Sequence, residues 1–339
     1  MAALRGSLSR ARNAQVGEGR GEGICNAYRH HQRNGRAHVS RNSIRRMITT
    51  LAAIALGYVL VVGLLYVFQR NLLFLPTSHV GSPAAVGAGD MREVTLATAD
   101  GLALRSWYKP AREGRPTMIY FHGNGGNISA RAKRVRPYLN AGLGVLLVGY
   151  RGYGGNAGAP SEDGFYEDAR AAARFIEAEG IPPDRVVLYG ESLGSAVAIH
   201  LAAEQAATGR PYAAVIGEGA PSSVVDVAAR RYPFAPVRTL IKDRFDSQAK
   251  VGGINAPLLL LHGEDDIVVP HRFGQALFDA AAEPKHAQWI DGAGHNNLAY
   301  HAIDAVVLEF LDRHLNGGRA PASAAPPAPG ATPASSSAG

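Results

Sequence analysis

Hydrophobic and polar positions change rhythm twice along the chain. Residues 47–68 read MITTLAAIALGYVLVVGLLYVF, 22 residues without a charge; at about 1.5 Å per residue, a helix of that length spans roughly the 30 Å hydrocarbon layer of a bilayer. A buried core helix would keep a polar stripe, and a cleaved signal peptide would be shorter and followed by small residues. Here Gln69, Arg70 and Asn71 follow, then Leu-Leu-Phe-Leu-Pro. The pattern predicts an uncleaved anchor over 47–68 and a linker over 69–90. From Met91 the rhythm becomes short apolar runs alternating with amphipathic stretches. Strands are predicted over 94–97 and 102–108, a hairpin turning at Asp100-Gly101, and then over 117–121, 144–149, 185–189, 214–216, 258–261 and 287–290. Helical periodicity separates the later runs at about 128–139, 162–179, 193–208, 271–283 and 297–314, with Pro182-Pro183 and Pro284 as breakers. An antiparallel opening followed by alternating β and α predicts an α/β fold over 91–316, with a mostly parallel central sheet flanked by helices. No internal repeat is present.

Composition refines this picture at the two ends. The net charge of +7 suggests a nucleic-acid binder until the charge is located. Ten arginines against Glu18 and Glu22 place +8 in residues 1–46, which leaves the remainder at −1. A basic globular face for DNA or RNA is therefore not expected. Residues 1–46 read as a disordered basic leader or as an over-extended gene start, with translation beginning at Met47. If the leader is translated, its arginines hold the N-terminus in the cytoplasm. The Ala/Pro/Ser tail over 317–339 has a composition that cannot form a core. The single cysteine, Cys25, excludes an intramolecular disulfide and a multi-cysteine zinc site. No H-E-x-x-H pattern occurs, so neither metal nor cofactor is expected.

Candidate chemistry concentrates at strand ends. Gly190-Glu191-Ser192-Leu193-Gly194 matches G-x-S-x-G, the strand-to-helix turn that pushes a serine hydroxyl out above a sheet. The pattern alone is cheap, but a predicted strand precedes it and a predicted helix follows. A serine hydroxyl needs a base, itself oriented by a carboxylate, and in this fold both should lie downstream. His262-Gly263-Glu264-Asp265-Asp266 follows one strand, and Asp291-Gly292-Ala293-Gly294-His295 follows the next. His295 alone among the histidines has the placement for a base; Glu264, Asp265 and Asp266 are equivalent acids on this reasoning. The amide of Leu193 is one oxyanion donor, and a second should come from His122-Gly123-Asn124-Gly125-Gly126-Asn127. Gly152-Tyr153-Gly154-Gly155-Asn156-Ala157 fits G-x-G-x-x-A, yet no helix start follows it, so a dinucleotide site is not expected.

Taken together, these motifs resemble the α/β-hydrolase superfamily, in its branch of membrane-anchored, small-lidded serine hydrolases that includes protein depalmitoylases and lysophospholipid lipases. The resemblance covers about residues 47–316. It rests on the elbow, on Phe121-His122-Gly123-Asn124 with Asn127, and on Tyr150-Arg151-Gly152-Tyr153-Gly154 running into Gly158-Ala159-Pro160-Ser161-Glu162. Tyr232-Pro233-Phe234, Lys242-Asp243-Arg244-Phe245-Asp246-Ser247, the His262-Gly263 loop ending in Val269-Pro270, and Gly294-His295-Asn296 complete it. The resemblance implies Ser192 as nucleophile, Asp266 as orienting acid, His295 as base, and Leu193 with Asn124 as oxyanion donors. It implies a substrate that is an acyl ester or thioester, either a lipid or a lipidated protein. A short cap, one or two helices within about 219–256, is expected over the pocket. The overall expectation is a single-pass protein of a bacterial inner membrane, of open orientation, that hydrolyses esters or thioesters. A peptidase or amidase on the same residues, or a non-catalytic membrane-bound binding domain, are the alternatives.

Overall fold

The computed structural model describes residues 40–315. The expected leader up to residue 39 and the tail over 317–339 lie outside the described residues. Residues through Tyr58 and residues from Val59 onward form two compact units. In the first, the described residues are the N-terminal part of helix α1 (Arg41–Leu73), none of it buried. This corrects the expected boundaries at both ends: 41–46 are helical rather than disordered, and the helix runs five residues past Phe68. Absence of charge marks an apolar span, whereas helix ends are set by caps and breakers. The Ser40 hydroxyl accepts from the Ser43 amide at 3.2 Å, as an N-cap does. At the other end nothing stops the helix until Pro76, which holds Leu75 extended.

The second unit carries the sheet. After β1 (Leu75–Pro76) come β2 (Arg92–Ala97), β3 (Ala103–Lys109), β4 (Thr117–Phe121), β5 (Gly125–Gly126), α2 (Arg136–Asn140), β6 (Gly144–Leu147) and α3 (Glu162–Ala178). These are followed by β7 (Val186–Glu191), α4 (Leu193–Ala207), β8 (Ala214–Glu218), α5 (Val224–Arg231), α6 (Val237–Leu240), β9 (Leu258–Gly263), α7 (His271–Ala280), β10 (Lys285–Ile290) and α8 (Ile303–Leu315). Eight strands form one sheet in the order β2-β3-β6-β4-β7-β8-β9-β10. β3 is antiparallel to both β2 and β6, and every pair from β6 to β10 is parallel. The predicted fold class holds. β1 and β5 pair separately, Leu75 with Gly125 and Pro76 with Gly126.

Both faces of the sheet are covered, which is why β4 is buried at all five positions and reads as an unbroken apolar run. Ile119 and Phe121 point into one core with Leu188, Phe165 and Val197, and Met118 and Tyr120 into the other with Val187, Tyr138 and Phe310. Two predicted helices are broken. The stretch 128–139 divides into a 3₁₀ turn (Ile128–Arg131) and α2, because Pro137 sits in the first turn of α2, where a proline starts a helix rather than continues one. The stretch 297–314 begins as a 3₁₀ turn (Leu298–His301) and restarts after Ala302, whose φ is +53°. Arg185 closes a 3₁₀ turn, and its strand starts one residue later at Val186. α5 and α6 lie between β8 and β9, within the 219–256 stretch where a short cap is expected.

Candidate active site

Ser192 sits between the end of β7 and the start of α4 with φ +51° and ψ −116°, a backbone conformation that costs a side-chain-bearing residue about 1–3 kcal/mol. Its surroundings enforce the strain. The Ser192 amide donates to the Glu218 carbonyl at 2.7 Å, and the Ser192 carbonyl accepts from the Ser195 hydroxyl at 2.5 Å. A Cβ at Gly190 would collide with Ser195, and one at Gly194 with the Phe121 carbonyl, so both glycines of the motif are required by close approach.

The downstream loops deliver their side chains to this turn. His295 Nε2 lies 2.9 Å from the Ser192 hydroxyl, and its Nδ1 lies 2.6 Å from Asp266 Oδ2. The tautomer with its proton on Nδ1 satisfies both contacts: it donates to the carboxylate and accepts from the hydroxyl. Among the three acids that sequence reasoning left open, Asp266 makes this contact; Glu264 and Asp265 are exposed. The Asp266 side chain is buried, with Oδ1 accepting from the amides of Val268 at 2.9 Å and Val269 at 2.7 Å. Buried His262 Nε2 donates to the Val269 carbonyl at 2.8 Å and ties down the same loop.

The two expected oxyanion donors flank the serine. Leu193 is the first residue of α4, where an amide has no partner inside its own helix. Gly123 brings the β4 loop against the elbow, since a Cβ there would stand 3.5 Å from the Ser192 Cβ. Asn124 follows. Its side-chain Nδ2 donates to the Leu73 carbonyl at 2.8 Å, and its own carbonyl accepts from the Leu75 amide at 2.9 Å and the Tyr153 hydroxyl at 2.7 Å. The Asn124 side chain is thus engaged elsewhere, and among the described residues its backbone N–H has no backbone partner. Asn124, Ser192 and Leu193 open together on a cleft of about 830 Å³ walled largely by Val, Leu, Ile and Ala. Beside the Gly152–Ala157 motif, Arg151 is bound by Asp168 at 2.8 Å and Asp100 at 2.7 Å, and the next helix, α3, starts only at Glu162.

Two ion pairs lie behind the elbow. Arg131 meets Glu191 at 2.7 Å, and Arg134 meets Glu218 at 2.5 Å, with the Tyr189 hydroxyl donating to Glu218 at 2.6 Å. Burial, reinforced by the neighbouring Glu191, raises the Glu218 carboxyl against the pull of Arg134. For Glu191, burial also opposes the charge, but the Arg131 guanidinium reverses it and holds the carboxylate below its usual range. Burial drives His122 down to about 4, so that it stays neutral, its Nδ1 donating to the Gly123 carbonyl at 2.7 Å.

A profile of the alpha/beta hydrolase fold matches residues 116–253. Lysophosphatidylserine lipase ABHD12 of Danio rerio is 32% identical over 224 residues, which cover 61% of this chain and 56% of that protein. An uncharacterized protein of Mycobacterium tuberculosis is 36% identical over 274 residues, 80% of this chain and 95% of its own length. The chain belongs to the α/β-hydrolase superfamily. A crystal structure of an α/β-hydrolase from Vibrio vulnificus has the same fold, with a TM-score of 0.60 at 23% identity, covering 71% of this chain and 92% of that one.

Within this hydrolase fold, several supporting residues escaped sequence reasoning. Gly219, at φ +56°, lets His295 approach: a Cβ there would stand 3.0 Å from the ring. The Asn297 side chain accepts from the Gly294 amide at 2.7 Å and shapes the histidine loop. Glu218 and Arg134 support the serine backbone from below. Only Asn297 carried a local signal, an Asx-type residue three positions after a glycine. The others become visible only once β7 and β8 are adjacent.

Proposed function

We propose that this protein is a membrane-anchored serine hydrolase that cleaves carboxylic ester or thioester bonds. The observation that carries the reading is the continuous path of hydrogen bonds Ser192–His295–Asp266, opening on an apolar cleft. Ser192 attacks the acyl carbonyl while His295 Nε2 takes the hydroxyl proton, and the Asp266 carboxylate stabilises the imidazolium that forms. The amides of Leu193 and Asn124 receive the developing oxyanion. His295 then passes its proton to the leaving alcohol or thiol. Water, deprotonated by the same ring, releases the acid and restores Ser192. The activity named for the Danio rerio relative is an ester hydrolysis of the same class, which supports this choice of bond.

The anchor reading rests on α1, whose apolar run is long enough to cross a bilayer and has no buried residue. At roughly 25 cal/mol per Å² of apolar surface, a run of exposed Leu, Ile and Val is strongly driven out of water. Turnover of p-nitrophenyl butyrate tests the enzyme: wild type releases nitrophenol, and Ser192→Ala loses at least about a thousandfold in kcat. Equal rates in both would remove the nucleophile.

A further inference from the structure

The last three turns of α1 are mostly apolar, with Gln69, Arg70 and Asn71 near the end, and the surroundings of their apolar positions differ. Val62, Leu65, Gln69 and Leu73 are half-buried, whereas Val61, Leu64, Val67 and Phe68 are exposed. The half-buried positions recur every three or four residues and therefore form a stripe along one face. Together with Tyr66 and Leu72 they line the same cleft as Ser192. Facing them across the cleft are Val224, Val227 and Ala228 of α5, and Val237 and Leu240 of α6.

This end of the helix is fastened in place. Arg70 makes a two-pronged ion pair with Asp243, at 2.7 and 3.0 Å. Gln69 Oε1 accepts from the Lys242 amide at 2.7 Å, and Phe74 is buried edge-on against Phe165. The polar group of the stripe is thus already paired, and what it offers the cleft is hydrocarbon. Leu73 marks the serine end, since its carbonyl is bonded to Asn124. Val62 lies eleven residues earlier, which is about 16 Å along the axis. An extended acyl chain advances about 1.3 Å per carbon, given C–C bonds of about 1.5 Å at tetrahedral angles, so the stripe matches a chain of about twelve carbons.

We propose that the last three turns of α1 form one wall of an acyl-chain site, so that the helix tethering the enzyme also holds the fatty chain of its ester or thioester substrate beside Ser192. The proposal rests on Ser192 being the acyl nucleophile. A chain that loses water contact along this wall should bring about fourfold in kcat/KM per methylene, at about 0.8 kcal/mol each.

The test compares p-nitrophenyl laurate with p-nitrophenyl butyrate, using the full chain in detergent micelles. Leu65 stands about 12 Å from Leu73, so Leu65→Trp should block the site beyond about nine carbons. The laurate-to-butyrate ratio of kcat/KM should then fall about 60-fold, three methylenes at about fourfold each. Leu64→Trp, on the exposed side of the same turn, should leave that ratio at its wild-type value. An unmoved ratio in Leu65→Trp, or an equal fall in both variants, overturns the wall while leaving the hydrolase reading intact. A wild type that turns over neither ester overturns both.

Discussion

At the residue scale, the proposed site rests on a strained backbone that presents one hydroxyl to one imidazole. The strain at Ser192 has a thermodynamic signature. Glycine adopts positive φ without penalty, so Ser192→Gly should abolish ester turnover while leaving the thermal midpoint equal to wild type or higher, by up to the equivalent of about 1 kcal/mol; a clear drop in the midpoint would contradict the strained-elbow account. Asp266→Asn removes the acceptor that fixes the His295 tautomer and should lower kcat by roughly 10³–10⁴-fold, with KM little changed. His122 supplies a pH test. Its folded value near 4 lies below the ordinary 6.5, so its contribution to stability is intact above pH 6.5 and is lost as the pH falls toward 4. By pH 4 the loss is about 3 kcal/mol. Denaturant titrations of wild type and His122→Phe should show that much less acid destabilisation in the variant, and parallel curves would refute the buried neutral ring.

At the element scale, most of the sheet was legible in the sequence. Parallel strands covered on both faces leave unbroken apolar runs, and β4, β7, β8 and β9 each left one. The serine and the acid loop were legible because each follows such a run, and the histidine because it stands on a glycine loop after the last strand. Helix interruptions were not: apolar periodicity runs on through the Pro137 restart, where the proline opens a new helix, and through the turn at Ala302. The support beneath the elbow was also invisible, since Arg134 and Glu218 are 84 residues apart and meet only through the sheet order. Their pairing makes a prediction for the element they join. Arg134→Met leaves the Glu218 carboxyl buried without its cation and should destabilise the fold by about 3–5 kcal/mol. A shift below about 1 kcal/mol in urea unfolding would show that the pair does not support β8.

At the scale of the whole molecule, charge, apolarity and chemistry lie in different parts of the chain. The basic excess belongs to residues 1–46, most of the exposed large hydrophobic side chains to α1, and the candidate site residues to loops at the carboxyl ends of β7, β9 and β10, the edge of an α/β sheet where ligands bind. A protein built this way should stay with the membrane pellet through alkaline carbonate washing, and release into the supernatant would count against the anchor. Ser192 is proposed as the residue that becomes acylated. Mass mapping of the full chain after reaction with a fluorophosphonate measures this directly: the account predicts one phosphonyl adduct, on Ser192, absent from Ser192→Ala, whereas an adduct on another residue, or equal labelling of the two proteins, would contradict it.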